Sequence, residues 1–152
     1  MAASAILWLK PLRTYVAVLT LGNLAWETLQ LPLYAIWTTG NLREQAFAVL
    51  HCAGGDMLIG LAALTLALVL IGKRGFWPVA LMAIALGLAY TGFSEWLNVY
   101  ARQSWAYSEW MPTLPLGPYR IGLSPLLQWL LVPGAALWMV RRSLTLGQSA
   151  PT

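Results

Sequence analysis

Charge is scarce in this chain. Only 9% of its 152 residues are charged, 59% are hydrophobic, and the mean hydropathy is +0.66. These values lie outside the range usual for soluble globular domains. The composition therefore excludes an ordinary soluble fold and predicts an integral membrane protein.

Cysteine and histidine are almost absent, with one residue of each, Cys52 and His51. A single cysteine excludes an internal disulfide and the paired-cysteine redox and zinc motifs, and a single histidine excludes bis-histidine haem ligation. The chain also lacks a dinucleotide fingerprint, a P-loop and a GxSxG nucleophile elbow. Nucleotide-dependent enzymes, serine hydrolases and nucleic-acid binders therefore gain no support.

Alternation of apolar and polar residues at period two is missing as well, so we do not expect a transmembrane β-barrel. Four apolar segments are instead suited to helices that cross about 30 Å of hydrocarbon. They are residues 15–37, 47–72, 78–100 and 125–140. We predict an all-α fold, a single transmembrane domain over residues 1–152 that forms a four-helix bundle, with a disordered tail at residues 143–152.

The basic residues are distributed unevenly between the two sides of this bundle. One side carries Lys10, Arg13, Lys73, Arg74, Arg141 and Arg142, and the other carries Arg43, Arg102 and Arg120. Cytoplasmic loops are enriched in Lys and Arg, so we expect both termini to be cytoplasmic in the inner (plasma) membrane. The loops at residues 38–46 and 101–124 would then face the periplasm or the outside. The first positive charges follow the small apolar patch at the N-terminus, an order that does not favour a cleaved signal peptide.

Caps and prolines give further boundaries. Asn41 followed by Glu44 has the spacing of a capping box that starts the second helix. Pro78 and Pro125 suit the first turns of the third and fourth helices. Pro32 and Pro133 lie inside predicted spans and predict kinks or local irregularity.

The loop at residues 101–124 is long and rich in aromatic residues. Trp105, Tyr107, Trp110 and Tyr119 lie within it. Two interpretations stay open, an aromatic belt at the membrane interface and a lid over a pocket.

Three of the five acidic residues, Glu27, Asp56 and Glu95, lie inside predicted spans. A charged group at the centre of a membrane helix costs about 2.5 to 3.5 kcal/mol on insertion scales, so such residues usually face a bundle interior or a water-filled cavity. All the strongly polar residues within the spans fall in the outer half, and the inner half is apolar. The sequence thus predicts an outward-opening polar pocket with a closed apolar floor, which argues against a channel.

The stretch VLHCAGGDMLIG, residues 49–60, forms the wall of this pocket on the second helix. His51 and Asp56 are its polar groups, and Cys52 is expected to be a small buried apolar residue. Small residues let membrane helices approach closely, so Gly54 and Gly55 are interpreted as a packing notch in preference to a hinge.

Carboxyl groups in different surroundings can divide the roles of acid and base. We therefore expect an enzyme of the isomerase, cyclase or hydratase type that acts on a lipid- or isoprenoid-like substrate without a cofactor. Its predicted catalytic residues are Glu27, His51, Asp56 and Glu95, and its predicted substrate-binding residues are Gln30, Asn98, Trp105, Tyr107, Trp110 and Gln128. The expected partners are membrane lipid and a hydrophobic small molecule, with a possible homo-oligomer. In outline, this arrangement is similar to the four-helix sterol-isomerase type of membrane protein, as an analogy of architecture and chemistry.

Three alternatives remain open at this stage. His51 with Glu27, Asp56 and Glu95 has the ligand types for a divalent metal such as iron, manganese or zinc. The composition is equally compatible with a non-enzymatic accessory or transport subunit of a membrane complex. Polar side chains such as those of Asn23, Gln30, Thr91 and Gln128 can also form hydrogen bonds between helices, at about 0.6 to 2 kcal/mol each.

Overall fold

A computed structural model describes residues 2–148, with side chains for residues 11–145, as a mostly helical chain. The four long helices are α1 (Ala2–Gln30), α3 (Leu42–Ile71), α4 (Phe76–Trp96) and α5 (Leu123–Gln148), and α2 (Ile36–Thr39) is a single short turn. Helix α1 packs against α3 and α5, and α4 packs against the same two helices. The long helices therefore form a closed ring, and the predicted helical class is confirmed.

Three segments are long and apolar enough to cross a membrane: Leu42–Arg74, Phe76–Ala101 and Leu123–Thr145. They confirm three of the four predicted spans. Helix α1 is long enough but is not among them, because polar residues such as Asn23, Glu27 and Gln30 recur along its second half. A membrane crossing by α1, and the orientation of the termini, stay predictions.

The first predicted span ends earlier than expected. Helix α1 stops at Gln30, a 3₁₀ turn follows at Leu31–Leu33, and α2 begins only at Ile36. Proline has no N–H to donate, and its ring clashes with the preceding turn, so the α-helix ends before Pro32 and the predicted local irregularity takes the form of a 3₁₀ turn. The helix also begins at Ala2, well before the predicted start at residue 15.

Helix α3 begins with the predicted capping box. The Asn41 Oδ1 accepts hydrogen bonds from the N–H groups of Arg43 at 3.0 Å and Glu44 at 3.1 Å, and Glu44 Oε2 accepts from the N–H of Asn41 at 2.9 Å. These bonds satisfy donors that the first turn leaves free, so the helix starts at Leu42 and not at residue 47.

Helix α4 continues into a π-helical turn, Leu97–Ala101, that the sequence did not predict. The N–H of Arg102 donates to the carbonyl of Leu97 at 2.7 Å, one residue wider than an α-helical bond. The Asn98 Nδ2 donates to the carbonyl of Ser94 at 2.9 Å. Gln103 then ends the helix with a φ of 52°, in the left-handed region that non-glycine residues adopt infrequently.

The loop at residues 101–124 is more ordered than its length suggested. Its first part pairs with the segment after α1, through an isolated bridge between Tyr34 and Tyr107 and a 2.9 Å hydrogen bond from Ala35 N–H to the Ala106 carbonyl. Its second part is an antiparallel hairpin of β1 (Thr113–Leu116) and β2 (Tyr119–Gly122). Gly117, with a φ of 59°, supplies the left-handed residue of the connecting turn.

Helix α5 carries Pro133 without ending there and continues to Gln148. The predicted disordered tail is therefore wrong for residues 143–148, where SLTLGQ follows Arg142 without a proline to stop the helix. Residues 149–152 of that predicted tail lie outside the described residues.

Close helix contacts occur at glycines other than those predicted. A Cβ at Gly60 would lie 2.5 Å from Leu19, and a Cβ at Gly87 would lie 2.1 Å from the Trp129 ring. At Gly54 and Gly55 a Cβ would meet nothing within 4 Å among the described residues. The packing-notch interpretation of those two glycines is therefore wrong, because no helix in the described part of the chain packs closely against them.

This difference between the glycines predicts opposite effects of one substitution. Gly87→Ala should lower the free energy of unfolding by about 1–3 kcal/mol, because the indole of Trp129 has to move. Gly54→Ala, the matched control, should be neutral or stabilising by up to about 1 kcal/mol, since alanine favours helix over glycine. Unfolding of the purified protein in mild detergent measures both, and equal losses in the two variants would contradict the packing described here.

Candidate functional site

A cavity of about 1260 Å³ opens at one end of the helix ring. Residues from all four long helices line it, together with the segment that follows α4. Eight of the predicted site residues are on its walls: Glu27, Gln30, His51, Asp56, Glu95, Asn98, Trp105 and Gln128. The structure thus brings together all four predicted catalytic residues and most of the predicted substrate-binding ones.

The side chain of Gln128 on α5 links three helices beneath this cavity. Its Nε2 has two N–H donors and three acceptors within hydrogen-bonding distance: Asp56 Oδ2 on α3 at 2.8 Å, Glu27 Oε1 on α1 at 3.0 Å and Asn23 Oδ1 at 3.2 Å. Gln128 is 1% exposed. One buried amide therefore holds two carboxyl groups from different helices at the same place.

A second amide extends this network. The Gln30 Nε2 donates to Glu27 Oε1 at 2.8 Å and to Gln128 Oε1 at 3.3 Å, and its Oε1 accepts from Ser124 Oγ at 2.7 Å. Trp26 Nε1 donates to the same serine hydroxyl at 3.2 Å. Glu27 is thus fixed by two amides, and the amides are themselves held by α5.

Asp56 Oδ2 and Glu27 Oε1 lie close together, because each is within 3.0 Å of Gln128 Nε2. A carboxylate only accepts hydrogen bonds, so a direct hydrogen bond between two carboxyl groups would require a proton on one of them. Nearby carboxyl groups of this kind disfavour the state in which both are ionised.

Glu95 is bound separately, by two phenols. Tyr107 donates to Glu95 Oε2 at 2.5 Å, and Tyr34 donates to Glu95 Oε1 at 3.5 Å. The N–H of Gly122 donates to the Tyr107 hydroxyl at 2.9 Å, which fixes that phenol from the hairpin side. Burial, and next to it the Glu95 carboxyl, raises the pKa of Tyr107 above its usual range, so this phenol is a protonated donor at neutral pH.

His51 lies on the cavity wall but is not joined to the carboxyl groups. Its ring stacks on Phe47, with centroids 5.4 Å apart and an interplanar angle of 19°. Among the side chains of residues 11–145, none forms a hydrogen bond or ion pair with it. Its role as a base stays a prediction. Cys52 also lines the cavity, and it is only partly buried.

The aromatic loop contributes unevenly to the site. Trp105 lines the cavity, and its Nε1 is buried without a hydrogen-bond partner among the described residues. Tyr107 reaches the site only through Glu95. Trp110 is 72% exposed and is not on the cavity wall, so the structure does not bring it into the predicted site. Part of the loop therefore covers the pocket, and part of it faces outward.

No group of three or more His, Cys, Asp or Glu side chains is arranged to hold a metal ion within the described part of the chain. The geometry therefore gives the metal-binding alternative no support. Glu27 and Asp56 already share the Gln128 amide, and His51 stands apart from them.

The sequence analysis missed several residues that shape the site, above all Tyr34, Ser124 and Trp129. Tyr34 lies four residues after Gln30, but the chain between them is not α-helical, so helical spacing could not place its phenol on Glu95. The sequence indicated Ser124 only as the start of a helix. The chain has nine tryptophans, and no pattern in the sequence distinguished Trp129 from the others.

No protein-family model, curated protein or solved structure shows significant similarity to the chain. The fold and the site together define a small helical protein with three apolar membrane-length segments and a carboxyl-lined cavity at one end.

The Gln128 network predicts strong coupling between helices. Gln128→Leu should lower the free energy of unfolding by about 1–3 kcal/mol, because it leaves buried oxygens of Asp56 and Asn23 without this donor and leaves Glu27 Oε1 with Gln30 alone. Its effect should not add to that of Asp56→Leu, with a coupling energy of about 0.5–3 kcal/mol in a double-mutant cycle.

The control cycle pairs Gln128→Leu with Ser143→Ala, whose hydroxyl donates only to the Val140 carbonyl near the opposite end of α5. These two effects should add. If Gln128 and Asp56 are also additive, the amide does not link α5 to α3.

Proposed function

We propose that this protein is an integral-membrane enzyme that carries out acid/base chemistry, of the isomerase, cyclase or hydratase type, on a hydrophobic lipid- or isoprenoid-like substrate. The observation that carries this proposal is the convergence of three carboxyl groups from three helices on one cavity. Two of them share a buried amide, and the third is held by phenols. Packing alone needs no such set, and intramembrane ionisable groups mark functional sites by default.

The two carboxyl environments suit a proton transfer in two steps. The Glu27–Asp56 pair can give a proton to one atom of the substrate, and Glu95 can take a proton from another, assisted by the Tyr107 phenol. An isomerisation or cyclisation is then balanced, because the proton that enters the substrate is matched by one that leaves it. His51, nearer the mouth, is the further candidate base.

The cavity walls favour an apolar substrate. Phe47, Ile59, Tyr90 and Trp129 line it alongside the carboxyl groups. Binding sites for drug-sized molecules usually enclose about 300–1,000 Å³, and the cavity of about 1260 Å³ has room for a longer chain. The proposed reaction needs no cofactor, since protonation and deprotonation of the substrate drive an isomerisation or cyclisation, and a hydration needs only water as the second substrate.

We further propose that α1 crosses the inner membrane together with the three apolar helices and that the cavity opens to the periplasm or the outside. The excess of Lys and Arg at the opposite end supports this orientation.

Cysteine labelling tests the orientation. In a Cys52→Ala background, Thr38→Cys should react with a membrane-impermeant maleimide added to intact cells, and Lys73→Cys should react only after the membrane is opened. The reverse pattern would contradict the orientation without affecting the site.

Substitution of the carboxyl groups tests the chemistry. Glu27→Gln, Asp56→Asn and Glu95→Gln should each slow turnover about 10²–10⁴-fold, because each removes a proton donor or acceptor of nearly unchanged shape. Native mass spectrometry and lipid extraction of gently purified protein should then show an apolar molecule retained by these variants and depleted in the wild type.

Glu109→Gln is the matched control, because Glu109 is exposed and lies off the cavity wall. It should behave as the wild type. A stoichiometric metal that is lost in His51→Ala would favour the metal-binding alternative. Co-purification of a larger complex, with no retained molecule and no effect of the three substitutions, would favour an accessory subunit.

A further inference from the structure

Three arginines lie at the cavity end of the helix ring, and they differ in their partners. Arg120 Nε donates to Thr113 Oγ1 at 2.8 Å and does not line the cavity. Arg43 and Arg102 both line the cavity and are exposed. Within residues 11–145, no side chain forms a hydrogen bond or ion pair with either of their guanidinium groups.

These two arginines come from neighbouring helices of the ring, since α3 and α4 pack against each other. Arg43 lies in the first turn of α3, and Arg102 follows the π-helical turn at the end of α4. After the π-helical turn and the left-handed backbone conformation of Gln103, the chain that follows α4 lies along the cavity wall. Both residues line the same cavity, and guanidinium donors match the geometry of carboxylate and phosphate groups, so this part of the wall favours an oxyanion.

One acidic residue shares this rim. Glu44 also lines the cavity, but its Oε2 is bound to the N–H of Asn41 in the capping box and lies beside the positive end of the helix dipole. The helix start therefore partly compensates its charge. The carboxyl groups of Glu27, Asp56 and Glu95 are deeper, and His51 lies between the two levels.

We infer that the ligand of this cavity is an amphiphile with an oxyanion head, a phosphate or a carboxylate, which Arg43 and Arg102 bind at the mouth while its apolar tail extends toward Glu27 and Asp56. This inference rests on the proposed function, since it specifies the substrate class of the same site. It also places the reacting part of the substrate away from its charged head.

The helix geometry sets how far apart these two parts lie. At 1.5 Å per residue, Arg43 and Asp56 are about 20 Å apart along the axis of α3, and Arg102 and Glu95 about 10 Å apart along α4. A short polar metabolite cannot reach from the arginines to the paired carboxyls. An extended isoprenoid or acyl chain can, and the apolar wall between the two levels, with Phe47 and Ile59, suits it.

Three probes with one tail test the inference: farnesyl phosphate, farnesoic acid and farnesol, titrated into the full-length protein in phosphatidylcholine nanodiscs and detected by native mass spectrometry. Farnesyl phosphate or farnesoic acid should bind at least about tenfold more tightly than farnesol. The Arg43→Gln/Arg102→Gln variant should lose this preference while binding farnesol as the wild type does. Arg120→Gln, the matched control, should keep it.

Several results would overturn the inference. Equal affinities of the wild type for the three probes, or a preference that survives in Arg43→Gln/Arg102→Gln, would show that the arginines do not select the head group. Inorganic phosphate that binds as tightly as farnesyl phosphate would show a site for a free anion and not for an amphiphile.

The failure of the proposed chemistry is separable from these outcomes. Binding is measured without turnover, so the head-group preference should persist in Glu27→Gln. If that variant proves fully active in cells, the acid/base proposal fails and the amphiphile site stands. If farnesol binds well and the charged probes bind no better, only the head-group inference fails.

Discussion

The buried amide of Gln128 is the interaction on which the rest of this structure depends. Glu27, Asp56 and Asn23 come from two different helices, and the same Nε2 lies within hydrogen-bonding distance of all of them. Two carboxyl groups at one place repel each other when both are ionised, and they lose hydration when buried. The shared Gln128 donor offsets part of both costs. The position of α5 relative to α1 and α3 therefore determines whether the cavity exists.

The two ends of the helix ring are held together by different interactions. At the cavity end, the helices are held by directional hydrogen bonds that leave a space between them. Away from the cavity, alanines such as Ala67, Ala83 and Ala136 are buried, and Leu19 packs directly against Gly60. Small residues let the helices approach closely there. This difference between the two ends is what we expect of a binding site that is closed at one end.

Much of the site could be predicted from the sequence, because hydropathy and helical spacing are local signals. Burial of Glu27 and Glu95 follows from their position inside apolar runs. The π-helical turn, the hairpin at residues 113–122 and the Tyr107 contact with Glu95 depend on pairing between distant segments, which spacing does not encode. The sequence also could not show whether Gly54 and Gly55 contact another helix, since that contact depends on where the neighbouring helix lies. The break after Gln30 was signalled by Pro32, but proline alone does not distinguish a kink from an end.

The case of α1 shows how the site and the membrane insertion depend on each other. Its second half carries Asn23, Glu27 and Gln30 on one face, and in lipid each unsatisfied polar group would cost several kcal/mol. All three are buried, and Gln128 and Ser124 on α5 provide partners for the Asn23 oxygen, for Glu27 and for Gln30, while Asn23 Nδ2 has no partner among the described residues. On the proposed crossing, α1 would therefore be stable in lipid only beside α5. The residues that weaken its hydropathy are the ones that complete the cavity, so a marginal membrane signal in α1 is a consequence of its place in the site.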